Sequence, residues 1–118
     1  MIGFNRLGSY GRLGNQMFQY AALRGIAAKH GYEFSIPPSD FDDPWRDHQL
    51  FEGFELYGLD KNNIRFHNGF PKADEEHFHF NQEFYENCQD NVDLFGYFQT
   101  EKYFKEISDE IKKDFTFK

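Results

Sequence analysis

Apolar residues in this chain first settle into a helical rhythm just after a glycine-rich stretch. From Met17 onward, Met17, Phe18, Ala21, Ala22, Gly25 and Ile26 share one face of a helix predicted to run to about His30. Ala21, Ala22 and Gly25 are small enough for that face to lie close to a sheet. Upstream, Met1 to Leu7 has the length of a strand, and Gly8, Gly11 and Gly14 recur every third position. Asn15 then reads as the helix N-cap, its side-chain oxygen accepting an orphan N–H of the first turn. Downstream, Tyr32 to Ile36 reads as a second strand, stopped by Pro37 and Pro38. Strand, glycine loop, helix and strand make a βαβ unit.

The middle of the chain is irregular. Ser35 to Pro44, with Pro37, Pro38 and Pro44 among acidic residues, is a loop. Gln49 to Leu59 is apolar without a clean period, which suits a short helix or a packed loop. Asn62 to Phe66 reads as a strand followed by a turn at Asn68-Gly69, and His77 to Phe80 alternates in strand fashion. Asn91 to Gln99 reads as a third core strand, carrying Val92, Leu94, Phe95, Tyr97 and Phe98. Thr100 is placed to cap a helix from Glu101 to about Asp114, with Tyr103, Phe104, Ile107 and Ile111 as its apolar stripe. Glu101/Lys105 and Asp109/Lys113 are favourable i,i+4 pairs on that helix.

A chain of 118 residues suits one α/β domain with one core. Its 16 Phe, 7 Tyr and 1 Trp fill such a core with aromatics to spare, and a surplus of that kind marks a missing interface. The net charge of −7 argues against nucleic acid, whose phosphates require a basic stripe. The lone Cys88 excludes an internal disulfide and fits a reducing compartment. No signal peptide or membrane-spanning segment is readable, so the expected setting is cytoplasmic, at most peripheral to a membrane.

The glycine loop carries the candidate chemistry. In a βαβ unit it lies at the carboxyl end of the first strand, where the helix N-terminus offers N–H groups and partial positive charge to an anion. Phosphate or diphosphate is the natural guest, yet GxxGxxG is neither the dinucleotide GxGxxG nor a phosphate-binding GxxxxGK[ST] loop. A tight βα turn before a well-capped helix accounts for the same residues. Asp40 and Asp42 form a DxD, the pattern by which many metal-dependent glycosyltransferases hold a divalent cation. No hydrophobic strand directly precedes it, and a solvated acidic loop is the expectation. His77 and His79 share a strand face without a second closely spaced pair, so they read as surface histidines.

The segment from Gly11 to Ala21, GRLGNQMFQYA, resembles the N-terminal motif of glycosyltransferase family 11, the α-1,2-fucosyltransferases. The segment from Gly96 to Phe104, GYFQTEKYF, resembles a second one common in its bacterial and viral-type members. The resemblance implies a GT-B architecture of two Rossmann-like domains facing a cleft. It implies metal-independent, inverting transfer of L-fucose from GDP-fucose to the 2-hydroxyl of a galactoside. The similarity covers the N-terminal part of the family's length, residues 1–118 here. The basic HxRRxD-type motif of the donor side has no counterpart, so a missing C-terminal donor domain or a second subunit is expected.

Inverting transfer needs a base for the attacking hydroxyl and donors for the charge growing on the departing GDP. On this resemblance Gly11, Arg12, Gly14, Asn15 and Gln16 are the substrate-binding residues. Arg12 would meet diphosphate or sugar oxygens with its charged fork, Gly14 would let the backbone approach, and Asn15 and Gln16 would hydrogen-bond the ligand or shape the loop. Gln99 and Thr100, at the end of a predicted strand, would line the same cleft, although a turn residue and a cap explain them equally. No Asp or Glu stands out as the base. Two other classes compete: a non-catalytic or split domain binding a glycan or a partner protein through exposed aromatics, and a metal-dependent nucleotide-sugar enzyme using Asp40 and Asp42.

Overall fold

The computed structural model describes residues 1–7, 13–37, 49–65, 69–75 and 80–118. Ile2–Gly3 is strand β1, Leu13–His30 helix α1 and Phe34–Ser35 strand β2. Gln49–Gly53 is helix α2, Lys72–Asp74 strand β3, Gln82–Asn87 helix α3, Asp93–Phe95 strand β4 and Ser108–Asp114 helix α4. The strands form one all-parallel sheet in the order β2-β1-β4-β3. Two βαβ units, β1–α1–β2 and β3–α3–β4, therefore stand side by side and meet at β1 and β4, where Gly3 pairs with Asp93. An α/β fold with a parallel sheet matches the expectation and is compatible with a Rossmann-like arrangement.

In the first unit the helix runs nearly as expected, whereas the strands expected over Met1–Leu7 and Tyr32–Ile36 keep two residues each. α1 ends near the expected His30 because Gly31 takes φ +72, allowing the Tyr32 N–H to reach back to the Ala27 carbonyl at 2.9 Å. That six-to-one bond is a Schellman stop, and Lys29 and His30 in the last turn suit the helix dipole. The buried face is wider than expected. Gln16 and Gln19 are buried, while Phe18, expected on the core side, is 37 % exposed and rests against Phe104 with ring centroids 6.2 Å apart. Packing explains the difference: α1 touches β1 and β2, and also α2 and residues 101–107, so it is covered from more than one side. Gly25 faces the Tyr103 and Phe104 backbone rather than the sheet.

Elsewhere the elements are shorter than their apolar runs suggest. β4 stops at Phe95 because Gly96 at φ +150 and Phe98 at φ +51 leave extended geometry. The predicted continuous helix after Thr100 is instead two 3-10 turns, Glu101–Tyr103 and Lys105–Ile107, followed by α4. Thr100 does cap the first turn, its side chain accepting the Lys102 N–H. The backbone breaks at Phe104 (φ −132, ψ 16) and Ile107 (φ −119, ψ 30), and Tyr103 and Ile111 are both buried on either side of the breaks. Neither predicted i,i+4 ion pair forms. The ion pairs among the described residues join the Met1 ammonium to Asp90 and Arg24 to Asp114.

The run from Asn62 is a 3-10 turn, Lys61–Asn63, boxed by Asp60, after which Ile64 makes a single parallel bridge to Ile36. β3 and α3 were not expected. Lys72-Ala73-Asp74 has one apolar residue because it is an edge strand, and α3 buries only Tyr85. Asn81 supplies the start signal of α3, its side chain accepting the Phe84 N–H at 3.0 Å. The aromatic wealth is spent mostly inside: Phe4, Tyr20, Phe98 and Tyr103 are fully buried, with Phe98 edge-on to both Phe4 and Tyr103 at 5.9 and 5.2 Å. Tyr57 and Phe117 are the aromatics left most exposed among the described residues, at 59 % and 79 %.

Three buried acids make the fold sensitive to alkali. Burial raises the Tyr20 hydroxyl, helped by Asp114, and pushes the Cys88 thiol up to about 11. It also raises Tyr103 to about 12, with the Asn81 N–H opposing and Glu75 adding. In the unfolded chain these groups release their protons earlier, so above about pH 9 the unfolded state binds fewer protons and stability falls as pH rises. Chemical denaturation is expected to show a loss of about 2 kcal/mol between about pH 8 and pH 10, and a flat profile there would contradict the burial of these groups.

Candidate functional site

The carboxyl ends of β1 and β4 lie side by side, and two segments leave from them: the loop leading into α1, and Gly96–Gln99. Two side chains of α1 reach across to the second segment. Gln99 Nε2 donates to Asn15 Oδ1 at 2.5 Å, and Gln19 Nε2 donates to the Gly96 carbonyl at 3.2 Å. The receiving turn is held in an uncommon shape. A Cβ on Gly96 would lie 2.7 Å from the Glu75 Cβ, besides the strain of its φ +150, so only glycine fits there. Phe98, with φ +51 and no exposed surface, has its N–H bound by Glu75 Oε1 at 2.9 Å. Such a conformation costs about 1–3 kcal/mol and persists only where surrounding contacts enforce it. On the β1 side the buried Asp93 accepts the Asn5 N–H on Oδ1 at 2.8 Å, so carboxylates from β4 and from the end of β3 underpin both segments.

Buried amide groups sit beside this junction. Gln16 Nε2 and Gln19 Oε1 are fully enclosed and have no hydrogen-bond partner among the described residues. Each orphan costs about 1–3 kcal/mol, which is unusual in the first turns of a core helix.

Of the predicted substrate-binding residues, the structure joins Asn15 and Gln99 directly. Gly14 is exposed, and a Cβ there would meet nothing within 4 Å. Gln16 is buried one position further on. Gly11 and Arg12 lie outside the described residues, as do Asp40, Asp42, His77 and His79. Asn15 is not the N-cap: α1 already includes Leu13, which places Asn15 inside the first turn, and its oxygen accepts from Gln99 rather than from its own helix. Sequence reasoning also missed Gln19, Glu75 and Asp93. Gln19 sits within the first motif, but no pattern shows that its amide reaches Gly96. Glu75 is hidden in the acidic run Asp74-Glu75-Glu76.

A second buried polar cluster among the described residues lies elsewhere, at the end of α4. Asp114, 1 % exposed, accepts from Tyr20 OH at 2.6 Å and Arg24 Nη1 at 2.5 Å on Oδ2, and from the Gly58 N–H at 2.7 Å on Oδ1. Both carboxylate oxygens accept from donors of the protein itself, so this cluster is structural.

No family model, curated protein or solved structure matches the chain. No described helix is long and apolar enough to cross a membrane. Among the described residues no group of three or more His, Cys, Asp and Glu is placed to hold a metal ion.

Proposed function

We propose that this chain is the Rossmann-like N-terminal part of a GT-B type, inverting fucosyltransferase similar to the α-1,2-fucosyltransferases. Its substrates would be GDP-fucose and a galactoside-containing glycan, with fucose passing to the galactoside 2-hydroxyl. The observation that carries the reading is the Gln99–Asn15 hydrogen bond. It joins the two segments that resemble the family, 84 positions apart, at the carboxyl ends of adjacent parallel strands. Ligands of open parallel sheets bind outside such ends.

In this reading Asn15 and Gln99 hold the two walls of the cleft in register, and Gly14 leaves room for a ligand beside the first turn of α1. Gln16 hydrogen-bonds the ligand or shapes the loop. Arg12 meets charge on the departing diphosphate, with Gly11 permitting the approach, and the helix N-terminus adds its partial positive charge. Transfer requires no metal. The general base comes from outside the residues assigned here, and the remaining half of the cleft from a C-terminal domain or second subunit. The non-catalytic alternative rests on Tyr57 and Phe117, whose exposed rings suit contact with a glycan or a protein.

Saturation-transfer NMR on the purified chain tests the proposal with GDP-fucose and lactose as probes. Wild type is expected to transfer magnetisation to both. Asn15→Asp places a carboxylate at the same helix end, where it repels a diphosphate, so the GDP-fucose signal should fall about tenfold while melting temperature holds. Gln99→Ala should weaken both signals. Equal GDP-fucose signals in wild type and Asn15→Asp would remove this junction from any donor site. A lactose signal that survives both substitutions and disappears in Tyr57→Ala would favour the non-catalytic alternative.

A further inference from the structure

β3 is an edge of the sheet, and its geometry is self-complementary. Its bonds to β4 run through the Pro71 carbonyl, which accepts the Asp93 N–H, and the Glu75 N–H, which donates to the Phe95 carbonyl, both at 2.9 Å. In a parallel ladder alternate residues serve opposite sides, so Lys72 and Asp74 turn their N–H and C=O groups away from β4. Among the described residues these groups meet no partner. Both residues are exposed, and a groove of about 450 Å³ opens along the strand between β3 and α3. Pro71, which has no N–H to offer, stands at the start of the strand, as edge strands allow.

We propose that this edge pairs antiparallel with β3 of a second copy of this chain, across a two-fold axis through Ala73. The register follows from the backbone and the charges together. With the axis at Ala73, Lys72 faces the partner's Asp74, and Asp74 faces the partner's Lys72. In that register both outward-facing residues form closely spaced pairs, each exchanging its N–H and C=O bonds with the residue opposite. Lys72 and Asp74 project on the same sheet face, so each pair also sets an ammonium against a carboxylate across the strands. Shifting the axis to Lys72 or to Asp74 puts like charges opposite each other. A charged edge normally discourages pairing; here the order Lys-Ala-Asp reads as its own complement, so charge selects one register instead. The contact is isologous and closes at two copies, giving one continuous sheet with the second chain's β3 added beside the first.

Sedimentation equilibrium over a wide concentration range, with amide hydrogen exchange on the same samples, tests this. Wild type is expected to show a monomer–dimer equilibrium, with the Lys72 and Asp74 amides protected only where the dimer forms. Asp74→Lys and Lys72→Asp each turn both cross-strand pairs into like-charge pairs, and each should raise the dimer dissociation constant about tenfold or more. Mixing the two variants restores opposite charges in both pairs, so the mixture should dimerise while neither variant does alone. A wild type that stays monomeric at all concentrations would overturn the proposal. So would dimerisation that both variants leave unchanged, or protection of the two amides independent of concentration, which would mean that another segment of the same chain covers the edge. Unchanged circular dichroism of the variants keeps misfolding apart from lost pairing.

Discussion

Replacing Asp114 with alanine is expected to cost about 3–5 kcal/mol of folding free energy, the range for removing one partner of a buried ion pair. Asp114 is 1 % exposed and Arg24 keeps only 16 % of its side-chain surface, so the guanidinium left behind stays largely desolvated. Three donors lose their acceptor at once: the Tyr20 hydroxyl, the Arg24 guanidinium and the Gly58 N–H. Tyr20 is the worst placed, being fully buried. The loss should spread beyond the site, because the cluster binds α1 to α4 and to the turn at Gly58, and the Leu56 N–H also donates to the Asp114 carbonyl. Asp114→Asn tests the role of charge separately. The amide preserves the shape and can accept on one side, but it turns an N–H toward a donor on the other. It should recover less than half of the alanine loss. Urea denaturation at pH 7 gives both values, and an alanine variant within 1 kcal/mol of wild type, the usual range for surface changes being about 0.5, would show that the pair is solvated.

This residue shows where sequence reading stopped. Asp114 stands at the end of a predicted surface helix, and an acidic residue there reads as solvated; nothing local signals that Tyr20, Arg24 and Gly58 converge on it from 56 to 94 positions away. The elements that were legible owe their form to local physics. The α1 end at Gly31, the β2 stop before the prolines and the Thr100 cap each depend on a few adjacent residues. What escaped depends on distant partners. Gln16 and Gln19 are buried because residues 101–107 cover α1 as well as the sheet, and a helical period cannot reveal a second covering layer. The predicted C-terminal helix is broken within those same residues, at Phe104 and Ile107. β3 escaped for the opposite reason: an edge strand of three residues that buries almost nothing leaves no alternation to read. At the candidate site, the motifs pointed to Asn15 and Gln99 separately and to the same strand-end location. Only the fold shows that the two side chains meet.

Gly25→Ala should destabilise by about 3 kcal/mol, although alanine is the better helix former. In an exposed helix interior the change would gain about 0.8–1 kcal/mol. Here the added Cβ would lie 1.9 Å from the Tyr103 carbonyl oxygen, 2.6 Å from the Phe104 Cα and 2.7 Å from the Tyr103 carbonyl carbon. All three are backbone atoms, so no side-chain rotation relieves the contact. Either α1 or the 3-10 turn at Glu101–Tyr103 must move outward. Overpacking usually costs about 1–3 kcal/mol, and backbone obstacles put this case at or above the top of that range, before the helix gain is subtracted. The displacement has a readable direction. Tyr103 is fully buried and its ring lies 5.2 Å from Phe98 and 4.9 Å from Phe80, so pushing its backbone away loosens the aromatic core next to the Gly96–Gln99 turn. The near-ultraviolet circular dichroism of those rings should weaken together with the melting temperature, whereas simple helix stabilisation would raise the melting temperature and leave the aromatic signal intact. A variant as stable as wild type would mean that α1 and the turn stand further apart than the close approach at Gly25 requires.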